Sequence, residues 1–526
     1  MKQKLVIIVV AFALILAPVS FACTEPVDDG EEPTGPQYGG VMRIIVTALP
    51  LMMAYPGMMS PGDHAYVFPA VERLIESGYD DGVRYFEPFL CESYFIDQVK
   101  KTFTFHLRDG IRFSDGSEFN AEVVKWNFEM NVEGGWVQDA DKIESIETPD
   151  PLTVVIHFTE YSNQIEFNWG WSVNMNSKAA WEAAGTTLEE RIDWAVDHVV
   201  GTGPFVLKEY QRDVKVVWEK NDDYWQEGRP YLDGLEYILI PDSVTASAML
   251  QGGDVDMWAQ GSAASDWEEL EALGYTVQSY WAGMPNMLMG NTVNPESKWQ
   301  DKNLREALEY ALDRDAIAEA LGLGYYEPLY QIAPEGEWGY VPDLEIREYW
   351  PQKAQLLVEE AGYPDGCPVT LLVQNVPASV DAGEAIESYL DAAYFDCTLD
   401  LADFGRYYGS FFGFGWDDLI VGFYGMDVNN LATYMSWFSH DPKTNIASFK
   451  RTEEQIEMDK EVVLIADPAE QEAYLEDILS YLHEEARFCP LWKPPTTWVA
   501  QPYVHTDYMQ QGFIRWRLYD AWMGEH

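Results

Sequence analysis

Two short apolar runs, at residues 367–373 and 397–401, flank a helical stretch at 382–395. Strands joined through a helix run parallel, because a tight hairpin cannot return the chain to the same end of a sheet. A parallel sheet in turn needs both of its faces covered. The same alternation recurs along the chain. Strands are expected at 41–46, 102–108, 154–158, 235–240 and 419–423, and a hairpin at 205–210 with 214–219. Helices are expected at 120–130, 244–251, 304–312, 314–321, 351–360 and 469–484, with Asp313 as a junction cap and Pro351 in a first turn. Asp109-Gly110 and Asp115-Gly116 are tight-turn signals. The chain therefore reads as an α/β protein. At 526 residues it is long enough for about three domains, each with its own core.

Charge narrows the functions open to it. Eighty-eight Asp and Glu stand against 33 Lys and Arg, a formal net charge of -55. Nucleic acid is excluded as a partner, since binding it needs a basic face that displaces counterions. A polybasic membrane-surface role is excluded for the same reason. Hydrophobic residues make up 47% and aromatics 14%, too many for a disordered acidic chain. The charge is read as a solvated, salt-tolerant surface that disfavours anionic ligands at long range.

The first residues set the compartment. Lys2 and Lys4 precede an apolar run at 5–17 and then Pro18-Val19-Ser20-Phe21-Ala22-Cys23. This is the plan of an export signal covering residues 1–22, and the run is shorter than the ~20 residues that span a bilayer. Ser20-Phe21-Ala22-Cys23 resembles a bacterial lipobox, which makes Cys23 the candidate lipidation site. Residues 23–38 are acidic and rich in Pro and Gly, the composition of a disordered tether. Removing residues 1–22 takes two lysines and no acids, so the mature chain carries 31 − 88 = −57. The four remaining cysteines permit two disulfides in an oxidising compartment. Parallel strands would put Cys367 and Cys397 at the same end of neighbouring strands. Cys91 with Cys489 follows by elimination. No metal-binding spacing of Cys or His is present.

Four segments in order resemble the family 5 extracellular solute-binding proteins, which bind peptides, dipeptides or nickel for ABC importers. They are residues 101–116 (Lys101 through Gly116), Gly201-Thr202-Gly203-Pro204-Phe205 with Asn221-Asp222-Asp223-Tyr224-Trp225 and Ile240-Pro241-Asp242, Leu304-Arg305-Glu306-Ala307-Leu308 with Tyr310-Ala311-Leu312-Asp313-Arg314, and Glu360-Ala361-Gly362-Tyr363-Pro364-Asp365-Gly366. The resemblance spans residues 39–526. It implies a type-II periplasmic-binding-protein fold, two lobes joined by a hinge, plus an additional α+β domain. Lobe I would take 39–75, 198–283 and 484–526, the inserted domain 76–197 and lobe II 284–483. The motifs themselves are turn and junction chemistry, so they mark the scaffold and leave the ligand open.

The ligand is expected between the lobes. The aromatic segment at 411–427 offers Trp416, Phe423, Tyr424 and Asp427. By resemblance an Asp in this region pairs with the α-amino group of a bound peptide. Here Phe423 stands where the family has Trp, and Val428 where a Pro is common. Asp427 is equally a helix cap. Leu51, Met52, Met53 and Tyr55 form an adaptable second wall, or else a core loop. Trp258 and Gln260 face the cleft in relatives, or pack between the lobes. The eight histidines form no metal or catalytic spacing, and GxSxG, P-loop and GxGxxG motifs are absent. No cofactor is implied. The expected function is capture of a peptide by an extracytoplasmic, lipid-anchored monomer that delivers it to an ABC permease. An oligosaccharide is the alternative ligand, and a secreted hydrolase with a carboxylate pair is the alternative class.

Overall fold

The computed structural model describes residues 35–54, 66–80, 83–135, 137–259, 261–280, 285–423, 446–506 and 518–525. The export signal, Cys23 and most of the acidic tether lie outside the described residues, as do Tyr55, Gln260, Tyr424 and Asp427.

Two mixed sheets organise the chain. The first has seven strands in the order Phe205–Gln211, Lys215–Lys220, Gly234–Leu239, Val41–Val46, Met257–Trp258, Thr496–Ala500 and Thr276–Tyr280. Val41–Val46 runs parallel to Gly234–Leu239 and to Met257–Trp258, and Thr496–Ala500 lies antiparallel between Met257–Trp258 and Thr276–Tyr280. The second sheet has six strands in the order Glu327–Pro328, Cys489–Lys493, Asn286–Gly290, Leu419–Phe423, Cys367–Gln374 and Phe395–Ala402. Here Cys367–Gln374 is parallel to both neighbours, Asn286–Gly290 is antiparallel to both of its own, and Glu327–Pro328 is antiparallel to Cys489–Lys493. In each sheet one of the reversed strands, Thr496–Ala500 in the first and Asn286–Gly290 in the second, is formed immediately after crossing over from the other.

The crossings lie between Tyr280 and Asn286 and between Lys493 and Thr496. The return was expected at 484. It comes later because Cys489–Lys493 pairs with Asn286–Gly290 and so belongs to the second sheet. The strand–helix–strand unit is formed as read, with its helix at Pro377–Ala392. That helix starts earlier than the expected residue 382. Pro377 presets its first turn, which is largely exposed and carries no apolar period to read.

A third sheet, antiparallel, has the order Cys91–Asp97, Thr102–Leu107, Thr153–Phe158 and Ile143–Asp150. Thr102–Leu107 alternates as expected, burying Phe103, Phe105 and Leu107. The helix Ala121–Gly134 covers this sheet and is capped by the Asn120 side chain. Its core is separate from those of the two larger sheets.

The recognised motifs build one junction between this layer and the first sheet. Glu72 is buried, and its carboxylate accepts from the Thr202 hydroxyl (2.8 Å), the Tyr224 hydroxyl (2.6 Å) and Trp225 Nε1 (2.9 Å). Asn221 Nδ2 donates to the Gly203 carbonyl at 2.8 Å. A Cβ on Gly201 would sit 1.8 Å from the Ala70 carbonyl oxygen, so only glycine admits this close backbone approach. Burial pushes the Glu72 carboxyl up to about 8, against the opposing effect of its hydroxyl and indole donors.

Neither expected disulfide forms. Cys91, Cys367, Cys397 and Cys489 are buried free thiols. Cys367 stands opposite Phe395, and Cys397 opposite Val369. The two cysteines are thus diagonal neighbours, roughly 8 Å apart by strand spacing and rise, beyond the usual disulfide reach. Cys91 and Cys489 belong to different sheets.

Candidate functional site

In open α/β sheets the ligand crevice lies outside the carboxyl ends of the strands. Both large sheets turn those ends toward one cavity of about 380 Å³. The second sheet supplies Gln374 and Phe423 from strand ends, Asn286 where the chain has just entered, and Trp492 and Pro494 where it is about to leave. The first supplies Ala263, Ala264 and Ser265 at the start of the helix Ala264–Ala272. The cavity therefore abuts both crossings.

Its walls are fixed from behind. The Tyr407 hydroxyl donates to the Val421 carbonyl at 2.6 Å and holds the ring against the strand. Phe423 rests on Phe411 with ring centroids 5.0 Å apart and planes inclined by 26°. Gly422 makes that packing possible, since a Cβ there would lie 2.0 Å from Met289 Cε and 2.7 Å from the Phe411 ring. On the opposite side, the Asp266 carboxylate caps its own helix through the Ala263 N–H at 2.7 Å. The lobes touch beside the cavity, where Trp267 meets Tyr325 edge to face at 5.2 Å.

The chemistry of the lining is neutral to acidic. Among the described lining residues Asp381 is the one carboxylate, and none is Lys, Arg or His. Polar side chains come from Ser265, Asn286, Gln374 and Ser379. The helix Pro377–Ala392 begins without a side-chain cap, and Ala378 and Ser379 of its first turn line the cavity. Such a helix start favours a negative group, while Asp381 favours a positive one. Just past Trp492, Lys493 is fully buried and pairs with Glu337, whose carboxyl is pushed up by burial. That pair braces the departing strand and does not line the cavity.

The expected site residues divide sharply. Phe423 lines the cavity. Trp416 does not: it is buried, its Nε1 donates to the Met289 carbonyl at 3.2 Å, and it stacks on Phe411. Met52 and Met53 are core residues of the first lobe, Leu51 is exposed, and none of the three lines this cavity. Trp258 is 1% exposed, enclosed by Ala246, Ala264 and Trp267 behind the cavity wall. Asn286, Gln374, Tyr407, Asp381 and Trp492 were not anticipated. Strand-end position was the signal that would have found Gln374, and strand-end position next to a crossing Asn286 and Trp492.

Among the described residues no group of three or more His, Cys, Asp or Glu is placed to hold a metal ion. Burial pushes the Cys91, Cys397 and Cys489 thiols up to about 12 and Cys367 to about 11, which keeps them protonated and unreactive at neutral pH.

Comparison with known proteins bears on the whole architecture. The model of the bacterial extracellular solute-binding proteins, family 5, matches residues 86–445. The glutathione-binding protein of Salmonella typhi is 31% identical over 298 residues, 54% of each chain. The chain thus aligns with about half the length of the curated relatives it matches. Among solved structures, the periplasmic binding protein DppA of Helicobacter pylori, in complex with the peptide STSA, superposes with a TM-score of 0.81 at 22% identity, covering 93% of this chain and 99% of the other. The oligopeptide-binding protein AppA of Bacillus subtilis, in complex with a nonapeptide, gives 0.79 at 20% identity, with 93% and 100% covered.

Proposed function

Because the chain belongs to the bacterial extracellular solute-binding proteins of family 5, we propose that it captures a peptide between its two lobes outside the cytoplasm and delivers it to an ABC permease. The observation that carries this reading is the cavity at the carboxyl ends of both sheets, beside both crossings. Closing the crossings would enclose a solute there, and opening them would release it.

The lining suits a zwitterion. Asp381 would receive an ammonium group, and the uncapped start of Pro377–Ala392 would receive a carboxylate. Phe423, Tyr407 and Trp492 would hold apolar side chains. Relatives named for binding glutathione, a tetrapeptide and a nonapeptide support a peptide as the class. Asp427 remains our second ammonium anchor, proposed from sequence. Lobe I would comprise 39–75, 198–283 and the chain after the second crossing, the inserted domain 76–197, and lobe II the chain between the crossings. Cys23 would anchor a monomer to the outer face of the membrane through lipid.

The test is a thermal-shift panel of di- to hexapeptides and oligosaccharides on the purified mature chain. Stabilisation by peptides is expected. A shift with sugars and none with peptides would overturn the reading. Unchanged peptide affinity in Asp427→Asn would remove Asp427 as an anchor.

A further inference from the structure

The inserted domain hangs from the first lobe, yet one of its loops grips the second. Asn163 lies between the strand Thr153–Phe158 and the turn Glu166–Trp171. Its backbone N–H donates to the Val463 carbonyl at 2.8 Å. Its side-chain Nδ2 donates to the Val462 and Ile465 carbonyls, each at 2.8 Å. All three acceptors sit at the C-terminal end of the helix Glu453–Val462 or just past it. The last carbonyls of a helix have no i+4 donor within it and take donors from elsewhere: beside Asn163, the Val462 carbonyl accepts the Ile465 N–H at 3.3 Å and the Ile465 carbonyl accepts Gln471 Nε2 at 2.9 Å, each using a second lone pair.

The loop that presents Asn163 is held independently of this contact. The Ser162 hydroxyl and Asn168 Nδ2 both donate to Asp139 Oδ2, at 3.3 and 3.0 Å. Lys142 pairs with the same carboxylate at 3.0 Å. Ser162, Gln164 and Ile165 are buried beside it. On the receiving side, Val462 belongs to the apolar cluster that contains Phe411 and Ile420, with Val463, Ile465 and Phe423 packed against it. The grip and the cavity wall are therefore parts of one packed body.

We propose that Asn163 is a latch: its three hydrogen bonds form when lobe II closes on the cleft and break when it opens, which sets the closed population. Among the described residues the chain passes between the two lobes at the two crossings, so a contact at the inserted domain spans the gap that the proposal has moving. A preorganised donor that reaches these carbonyls only on closure adds stability to the closed state alone, and any ligand that requires closure gains by the same factor.

Pulsed EPR on the full mature chain tests this. Spin labels are placed at Glu160→Cys and Glu457→Cys, both exposed, with Cys23→Ser to keep the tether unlabelled. The parent is expected to show a short-distance population. Asn163→Ala should lower the ratio of short to long distances about ten-fold, for the loss of two side-chain hydrogen bonds. Asn163→Asp should lower it at least as far, because it sets a carboxylate against carbonyls in a nearly isosteric side chain. It also serves if truncation disturbs the loop. Identical distance distributions in parent and variants would overturn the proposal. A lower unfolding temperature without a change in distance would do so too, since it describes a static brace.

Discussion

The inserted domain is joined to its two neighbours by very different chemistry. Toward the first lobe, the Glu72 carboxylate is buried and takes three donors from Thr202, Tyr224 and Trp225, while backbones pass so closely that Gly201 admits no side chain. Toward the second lobe, among the described residues, it presents the half-buried Asn163. A junction that buries an ionisable group with every donor committed cannot open without large cost. A junction of a few bonds to helix-end carbonyls opens and closes cheaply. On the proposal above, this contrast has the inserted domain ride with lobe I while lobe II swings.

The largest effect should come from breaking the welded side. Glu72→Ala leaves a hydroxyl pair and an indole N–H buried without an acceptor, and should cost about 3 kcal/mol or more, read by calorimetry as a lower first unfolding transition. The pH dependence of the same group sharpens the point. In the unfolded chain Glu72 titrates at the ordinary carboxylate value of 4.5, and in the fold at about 8. Between those values the folded state holds the extra proton. This contribution to stability is therefore greatest below 4.5, declines as pH rises to 8, and is flat beyond. Glu72→Gln, which stays neutral, should lose that decline, seen by comparing unfolding temperatures of the two proteins from pH 5 to 8.5.

The mobile side gives smaller effects. Gly422→Ala drives a methyl into Met289 and Phe411 behind the cavity wall. It should destabilise lobe II by about 1–3 kcal/mol and weaken peptide binding, while leaving the transition that reports on Glu72 in place. Smallest of all, reducing agent should leave thermal unfolding unchanged, because the four described cysteines are free. A pair of native bridges would instead show losses of about 2–5 kcal/mol each.

Much of the scaffold was legible in the sequence. The helix Pro351–Glu360 and the alternating strand Thr102–Leu107 follow from periodicity and a first-turn proline. The recognised motifs proved to be junction chemistry, as at Thr202, Tyr224 and Arg314, the last fully buried beside Glu309. The site was far less legible. Trp258, Met53 and Trp416 were attractive because large apolar residues line clefts, but the same residues fill cores, and sequence carries no sign of which face they take. Asn286 and Gln374 were overlooked because their role comes from standing at a strand end on the cavity side of the sheet, and for Asn286 beside a crossing, a property of topology. The disulfide expectation failed on register: two cysteines at matching ends of parallel strands were offset by a pair of residues.

Hydrogen–deuterium exchange, with and without the peptide that gives the strongest thermal shift, tests the central claim most directly. The account predicts added protection on both faces of the cavity, at 263–265, 373–382 and 419–423, and at the Asn163 loop, with no change around Glu72, Thr202 and Tyr224. Protection confined to the inserted domain, or equal change at the Glu72 junction, would contradict it.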